Sequence, residues 1–334
     1  MSGAPASAGG RIAVLLVNLG TPAAPTAGAV KAYLREFLSD PRVVELPALL
    51  WQPILRGIIL NTRPRKSAHA YRQVWTDRGS PLAVHTQDCA AALGGAFGEA
   101  VTVDWAMRYG RPSIAARLKA LKADGHERIL LAPLYPQYCG ATTATAMDAA
   151  AAALADMRWQ PALRILPAYH DDPDYIEALR GDVSAQLAAL PFAPERIVAS
   201  FHGMPARTRT LGDPYHDQCV ETARLLAAAL GREVMVSFQS RFGRARWLEP
   251  ATETVLATLA GEGVASVAVL TPGFSADCLE TLEEIALRGR DRFLAAGGRN
   301  FAFLTCLNAK AGAIAFYRRL LGRELAGWVG DRPR

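Results

Sequence analysis

Residues 196–203 read RIVASFHG: one arginine, five uncharged positions, then a histidine and a glycine. Such a run, rich in β-branched and apolar residues without polar alternation, describes a strand covered on both faces, as in a parallel sheet flanked by helices. The ionisable residue that follows, His202, arrives only where the run stops. Open α/β sheets bind their ligands outside the carboxyl ends of the strands, so this one stretch points to a fold and to a site at once.

The same pattern recurs on either side. Further strand candidates are IAVLLVNLG (12–20), VTVDWAMRYG (101–110), RILLAPLYP (128–136), LRILPAYH (163–170), EVMVSFQSR (233–241), SVAVLTPGF (266–274) and FAFLTCLN (301–308). Ala/Leu-rich segments with helical patterns separate them, at 113–124, 143–157, 173–189, 218–230, 251–262 and 278–296. The alternation predicts an α/β protein with parallel sheets. Eight strands divide into four and four, with the join near 160–172. The expected units are 10–165 and 166–309, with a last helix over 310–330 returning to the first. The residues at strand ends are then Asn18, Arg108, Tyr109, Tyr135, Gln137, His202, Gln239, Arg241 and the segment 272–284.

Composition agrees. The 334 residues are 51% hydrophobic and 20% charged, which suits two packed domains and excludes a disordered chain. A net charge of +6, spread along the chain, argues against nucleic acid and admits an anionic small molecule or an acidic membrane surface. Five cysteines, Cys89, Cys139, Cys219, Cys278 and Cys306, form no C-x-x-C pair, which suggests a reducing, cytosolic compartment. The opening MSGAPASAGG has neither the basic nor the apolar part of a secretory signal. The nearest approach to a membrane span, LPALLWQPILRGIIL (46–60), is interrupted by Pro53 and Arg56.

Five segments carry candidate chemistry. In SFHGMP (200–205), His202 reads equally as a hydrogen-bonded packing residue or as a base. Gly203 allows another backbone or a flat ligand to come close. Ser200 with His202 invites a Ser–His hydrolase reading, but no G-x-S-x-G elbow accompanies it. In PGFSADCLETLEEI (272–285), a helix starting near Asp277 puts Asp277, Glu280 and Glu284 on one face. Asp277 and Glu280 equally fit a capping box. FQSRFGRARWLEP (238–250) groups arginines beside a glycine and a tryptophan, as a surface loop or a carboxylate-holding cleft wall. LYPQYCGATTATAMDA (134–149) passes from strand to helix, with Thr142 and Thr143 placed to cap it. LPALLWQPILRGIILNTRPRKSAHAYRQVW (46–75) joins apolar material to Arg63, Arg65 and Lys66. It suits a buried helix, or an apolar lip that meets a membrane or grips a large flat ligand with anionic ends.

Taken in order, LLVNLGTP (15–22), FLSDPRVVELP (37–47), GSPL (79–82), YPQY (135–138), SFHGMP, FQSRFGRARWLEP and PGFSADCLETLEEI resemble the ferrochelatases, in particular the bacterial branch, over nearly the whole chain. The resemblance implies two Rossmann-like, chelatase-type domains, each a four-stranded parallel sheet, with a porphyrin cleft between them. It implies insertion of Fe²⁺ into protoporphyrin IX to give protohaem. His202 falls on the family's histidine, Glu280 on its active-site glutamate and Glu284 on a further acid of that helix, with Glu283 and Glu284 competing for that role. Metal contacts would be His202, Glu280 and Glu284. Leu19, Arg63, Tyr71, Ser80, Arg108 and Tyr109 fall on porphyrin-contacting or cleft positions. Iron is a substrate, and no cofactor is implied. The 2Fe–2S cluster of some relatives has no ligands here after Cys306, Cys278 stands where some relatives carry histidine, and the membrane segment of other forms is missing. Contact with the inner membrane or with the preceding haem-pathway oxidase is implied at its periphery.

The chemistry suits these residue types. A porphyrin takes up a metal only after losing two inner N–H protons, and its flat ring hides the nitrogen lone pairs. An imidazole accepts protons near neutrality, and carboxylates carry protons or a divalent ion. Binding the ring in a bent pose is offset by contacts elsewhere on the macrocycle. The rival readings are a chelatase for coproporphyrin III or a cobalt corrin precursor, a non-catalytic porphyrin carrier, and the Ser–His hydrolase.

Overall fold

The computed structural model describes residues 10–241, 243 and 245–329. Most of the opening MSGAPASAGG, Phe242 and Arg244 of the basic segment, and the end of the 310–330 helix lie outside the described residues. Eight strands form two parallel sheets. β1 (Arg11–Gly20), β2 (Thr102–Tyr109), β3 (His126–Pro133) and β4 (Ala162–Ile165) are ordered β2-β1-β3-β4. β5 (Arg196–His202), β6 (Met235–Gln239), β7 (Ser266–Leu270) and β8 (Asn300–Leu304) are ordered β6-β5-β7-β8. Every neighbouring pair is parallel, and both sheets follow one plan, with the first strand of each half lying between the second and the third.

The unbroken apolar strands are explained by where their two faces go. In β1, Val14 and Leu16 point into a core shared with the second sheet, while Ala13, Leu15 and Val17 pack outward against Leu118, Ala146 and Ala150. β5 repeats this: Ile197, Ala199 and Phe201 face the shared core and Val198 faces Leu256, Val269 and Phe293. Side chains alternate across a strand, so covering both faces requires apolar residues at every position. The helix Ala311–Glu324 buries Phe316, Tyr317, Leu320 and Leu321 in the same shared core and packs on the helices Pro81–Phe97 and Pro173–Ala188.

Four expectations are corrected. The strand expected over 163–170 ends at Ile165. Leu166 still donates to Leu131 O (2.9 Å), but Pro167 has no donor to continue the ladder. The helix expected from Asp277 begins at Glu280, runs as a π-helix to Gly289 and turns α-helical over Arg290–Ala295. Asp277 caps nothing and faces inward, accepting from Asn308 Nδ2 (2.7 Å), Cys306 N (3.2 Å) and Thr281 Oγ1 (3.1 Å), so the three carboxylates do not share a face. Thr142 and Thr143 cap no helix: Cys139 stands at the start of Gly140–Ala144, and the buried Thr143 hydroxyl has no partner.

The 46–75 segment is neither a single helix nor buried throughout. It comprises the helix Ala48–Ile54, a π-turn Leu55–Ile59 and the helix Leu60–Val74. Trp51, Leu55 and Leu60 anchor its inner side, and Trp51 Nε1 donates to Leu38 O at 2.6 Å. Leu49 (91% exposed), Leu50, Ile54 and Ile58 face outward.

Candidate active site

The carboxyl end of β1 is joined to the second half through the loop after β7. The Asn18 amide at the end of β1 reaches Thr86 Oγ1 (3.2 Å) and Ser275 Oγ (3.4 Å), the latter in the loop after β7. On the first half, Leu19 packs with Tyr33, Tyr71, Tyr109 and Leu279. The Thr21 hydroxyl donates to Ser80 Oγ at 2.7 Å, and Tyr71, Thr21 and Ser80 are all buried. Leu279 is part of this apolar wall, which brings the first residues of the acid helix against it.

Arg108 and Tyr109 are committed elsewhere. Asp40 accepts from Arg108 Nη2 (2.5 Å), Tyr109 Oη (2.8 Å), Thr145 Oγ1 (2.5 Å) and Arg42 N (2.8 Å), and Arg108 Nε also donates to Thr145. Burial would raise the Asp40 pKa, but Thr145, the Arg42 amide, Tyr109 and Arg108 together hold it below the ordinary 3.8. The Arg108 guanidinium also lies over the Tyr109 ring, 4.3 Å from its centroid. Asp40 therefore fixes the wall that Tyr109 belongs to. Nothing in the sequence announces it, because its partners at 108, 109 and 145 are remote along the chain.

His202 ends β5 with its backbone in register with Gln239 of β6. Its Nδ1 lies 2.8 Å from Gly203 O. A carbonyl only accepts, so Nδ1 carries the hydrogen and the Nε2 lone pair is the basic position. The Phe274 ring stands 6.4 Å away, centroid to centroid. Gly203 is needed for a backbone: a Cβ there would lie 2.4 Å from Gln239 O, which accepts from Gly203 N at 2.7 Å. Ser200 is fully buried and bonds Gln239 Oε1 (2.8 Å) and Thr252 Oγ1 (2.7 Å), so its hydroxyl is engaged away from the imidazole.

Glu280 opens the π-helix. Its backbone carbonyl accepts from Gln239 Nε2 at 2.7 Å. Its charge is felt across the cleft: with burial, it raises the pKa of the Tyr33 and Tyr71 phenols, and it opposes the burial that draws Arg63 below its usual range. Arg63 and Tyr71 thus lie within electrostatic reach of Glu280. Cys278 is buried beside Met107, Leu82 and Ala276, and burial followed by the charge of Glu280 pushes its thiol well above the usual 9.0. Such a thiol stays protonated and unreactive. Glu284 accepts from Ser240 N (2.7 Å) and Oγ (2.5 Å), whereas Glu283 is taken by Arg288 Nε at 3.0 Å. Of the basic 238–250 segment, Arg241 turns outward to Glu253 (2.9 Å). Among the described residues no three His, Cys, Asp or Glu side chains converge as a ready-made metal site.

Two parallel sheets on one plan, packed on a shared core, form the chelatase architecture. SirB of Bacillus subtilis, solved with Fe³⁺, matches with a TM-score of 0.55 at 16% identity, over 75% of this chain and 92% of that one. The sirohydrochlorin chelatase SirB of Bacillus subtilis subspecies spizizenii, in complex with cobalt, gives 0.52 at 14%, over 95% and 97%. At these identities the likeness is one of fold. In sequence, the ferrochelatase family model matches residues 11–325. The ferrochelatase of Azoarcus sp. is 53% identical over 97% of this chain and 90% of its own length. That of Rhizobium meliloti is 52% identical over 97% and 98%. The chain belongs to the ferrochelatase family.

Proposed function

We propose that His202 and Glu280 carry the reaction of this ferrochelatase, a lyase of haem biosynthesis that inserts ferrous iron into protoporphyrin IX. The supporting observation is that both residues are fastened to one residue, Gln239, at the carboxyl end of the second sheet. Glu280 in turn lies within electrostatic reach of Tyr71 and Arg63, and Leu279 beside it packs on the apolar wall that carries Leu19 and Tyr71.

With Nδ1–H held by Gly203 O, His202 presents Nε2 as the acceptor for a pyrrole proton. Insertion breaks two N–H bonds and releases two protons as the metal binds all four ring nitrogens, so a route away from the base is required. Glu280 and Glu284 supply it, and Glu284 is the second acid because Ser240 turns it toward β6 while Arg288 sits closer to Glu283 (3.0 Å) than to Glu284 (3.9 Å). Iron is a substrate that must be surrendered, and a contact through one imidazole and one carboxylate holds it less firmly than a full ligand cage. The buried Cys278 thiol takes no proton in this scheme. Leu19 and Tyr71 supply apolar surface to the macrocycle, backed by the buried Tyr109, and Arg63 supplies the cation for its anionic groups. Ser80 and Arg108 brace this wall. We assign the two units to 10–165, with the C-terminal helix, and 166–309.

The exposed row Leu46, Leu50, Ile54 and Ile58, with Leu49 beside it and Arg56, Arg65 and Lys66 nearby, suits a peripheral contact with an anionic inner-membrane surface facing the cytoplasm. Among the described residues no helix is long and apolar enough to cross a membrane.

The deciding experiment is anaerobic insertion of Fe²⁺ into protoporphyrin, followed by visible absorption. The wild type inserts iron, and His202→Ala binds porphyrin without inserting it. Near-normal insertion by that variant sinks the assignment. Coproporphyrin III in the same assay settles which porphyrin is preferred.

A further inference from the structure

We infer that the dipeptide Gln239–Ser240 is the positioning element of this active site, holding the histidine and the acid helix at a fixed separation. The inference rests on the reading of His202 and Glu280 as the working residues. Gln239 is buried, and its backbone oxygen and both side-chain polar atoms are used. Its backbone oxygen receives Gly203 N (2.7 Å), the residue directly after His202. Its Oε1 receives Ser200 Oγ (2.8 Å), itself bonded to Thr252, and its Nε2 donates to Glu280 O (2.7 Å).

The last of these bonds touches the helix geometry. The Glu280 carbonyl belongs to the opening turn, and a side-chain donor inserted there competes with the α-helical ladder. Such insertions accompany π-turns, and the π-helix starts at this residue. Ser240 then holds the other acid. Its backbone lies at φ 63°, a left-handed conformation that is unfavourable for serine, and there both its N–H and its hydroxyl donate to Glu284. A single dipeptide thus fastens the backbone beside His202, the backbone of Glu280 and the carboxylate of Glu284. A donor in a neutral amide is suited to this task, because it orders a carbonyl without adding a charge next to the acids.

Two variants and one reference test it, each assayed for kcat, porphyrin KM and thermal midpoint. Gln239→Met keeps the volume and removes both side-chain hydrogen bonds. We expect kcat to fall about tenfold or more, with KM within about threefold, the signature of a group acting on the reacting state alone. Ser240→Gly keeps the N–H donor and relieves the left-handed backbone. It should melt no earlier than the wild type and still turn over several times more slowly, a split that a merely structural serine would not show. Glu280→Gln is the reference. If Gln239→Met or Ser240→Gly folds and keeps wild-type kcat while Glu280→Gln is inactive, the inference is overturned and the site assignment stands. A rise in KM alone also overturns it, since that would make the dipeptide a substrate contact. Wild-type kcat in Glu280→Gln overturns both.

Discussion

The two halves of this protein end their first strands in the same way and use the ending differently. β1 finishes Asn18–Leu19–Gly20 and β5 continues Phe201–His202–Gly203. In each case the glycine leaves room for a carbonyl of the adjacent second strand: a Cβ at Gly20 would lie 2.0 Å from Tyr109 O, and one at Gly203 would lie 2.4 Å from Gln239 O. The residue before the glycine is leucine in one half and histidine in the other. Around Leu19, the charged groups are consumed internally, with Asp40 neutralising Arg108. Around His202, Nδ1 is engaged by Gly203 O, and we propose Nε2 and Glu280 for the chemistry. One backbone solution thus carries an apolar residue in one half and an imidazole in the other, which we propose as a binding wall and a reactive wall.

The sharpest way to break this comparison is to exchange the roles. His202→Ala should lower insertion by about 10²–10⁴-fold, the usual worth of a positioned base, whereas Leu19→Ala should leave kcat near wild type and raise porphyrin KM. Steady-state kinetics of the two variants decides it, and equal losses in kcat would erase the distinction.

Next in size is the buried pair on the first half. Asp40→Ala leaves Arg108 without its partner and should cost about 3–5 kcal/mol in urea unfolding, with Asp40→Asn, which retains acceptor and donor capacity, costing less. The sign of its pH dependence follows from the depressed pKa of Asp40. The stabilisation is present above the ordinary 3.8 and is lost as pH falls through the lower folded value. Acid unfolding of the wild type should therefore steepen in that range, and Asp40→Asn should flatten the curve. An unchanged curve would show that Asp40 is not the group responsible.

A smaller effect compares the glycines. Gly20 has φ 124° and Gly203 has no such left-handed backbone, although both are crowded by a carbonyl. Gly20→Ala should thus be the less stable variant by about 1–3 kcal/mol. Gly203→Ala should lose less stability but more turnover, because the carbonyl it displaces belongs to Gln239. Equal melting midpoints would remove the backbone part of the argument.

Much of this was legible from the chain alone. The apolar runs located every strand of both sheets, and RIVASFHG placed His202 at a carboxyl end. The acid helix was recognised, but its start and its pitch were not, because its first carbonyl is answered by Gln239 rather than by the helix itself. Asp277 looked like a cap from its neighbours, yet its carboxylate is claimed by Asn308, 31 positions away. Arg108 and Tyr109 matched cleft positions, while the acid that holds them, Asp40, carried no local signal.

What the sequence by itself determined is therefore what local physics sets: the parallel α/β class, the two four-strand halves, and a histidine and an acidic helix at strand ends. Strand and helix periodicity depend on residues within a few positions of one another. Only the tertiary structure decided which polar groups are used up. It turned Asp277 inward, tied Arg108 to Asp40, gave Glu284 to Ser240 and brought one amide against both His202's strand and Glu280's helix. Those choices rest on hydrogen bonds between residues as far as 105 positions apart, as between Asp40 and Thr145, and no spacing along the chain encodes them.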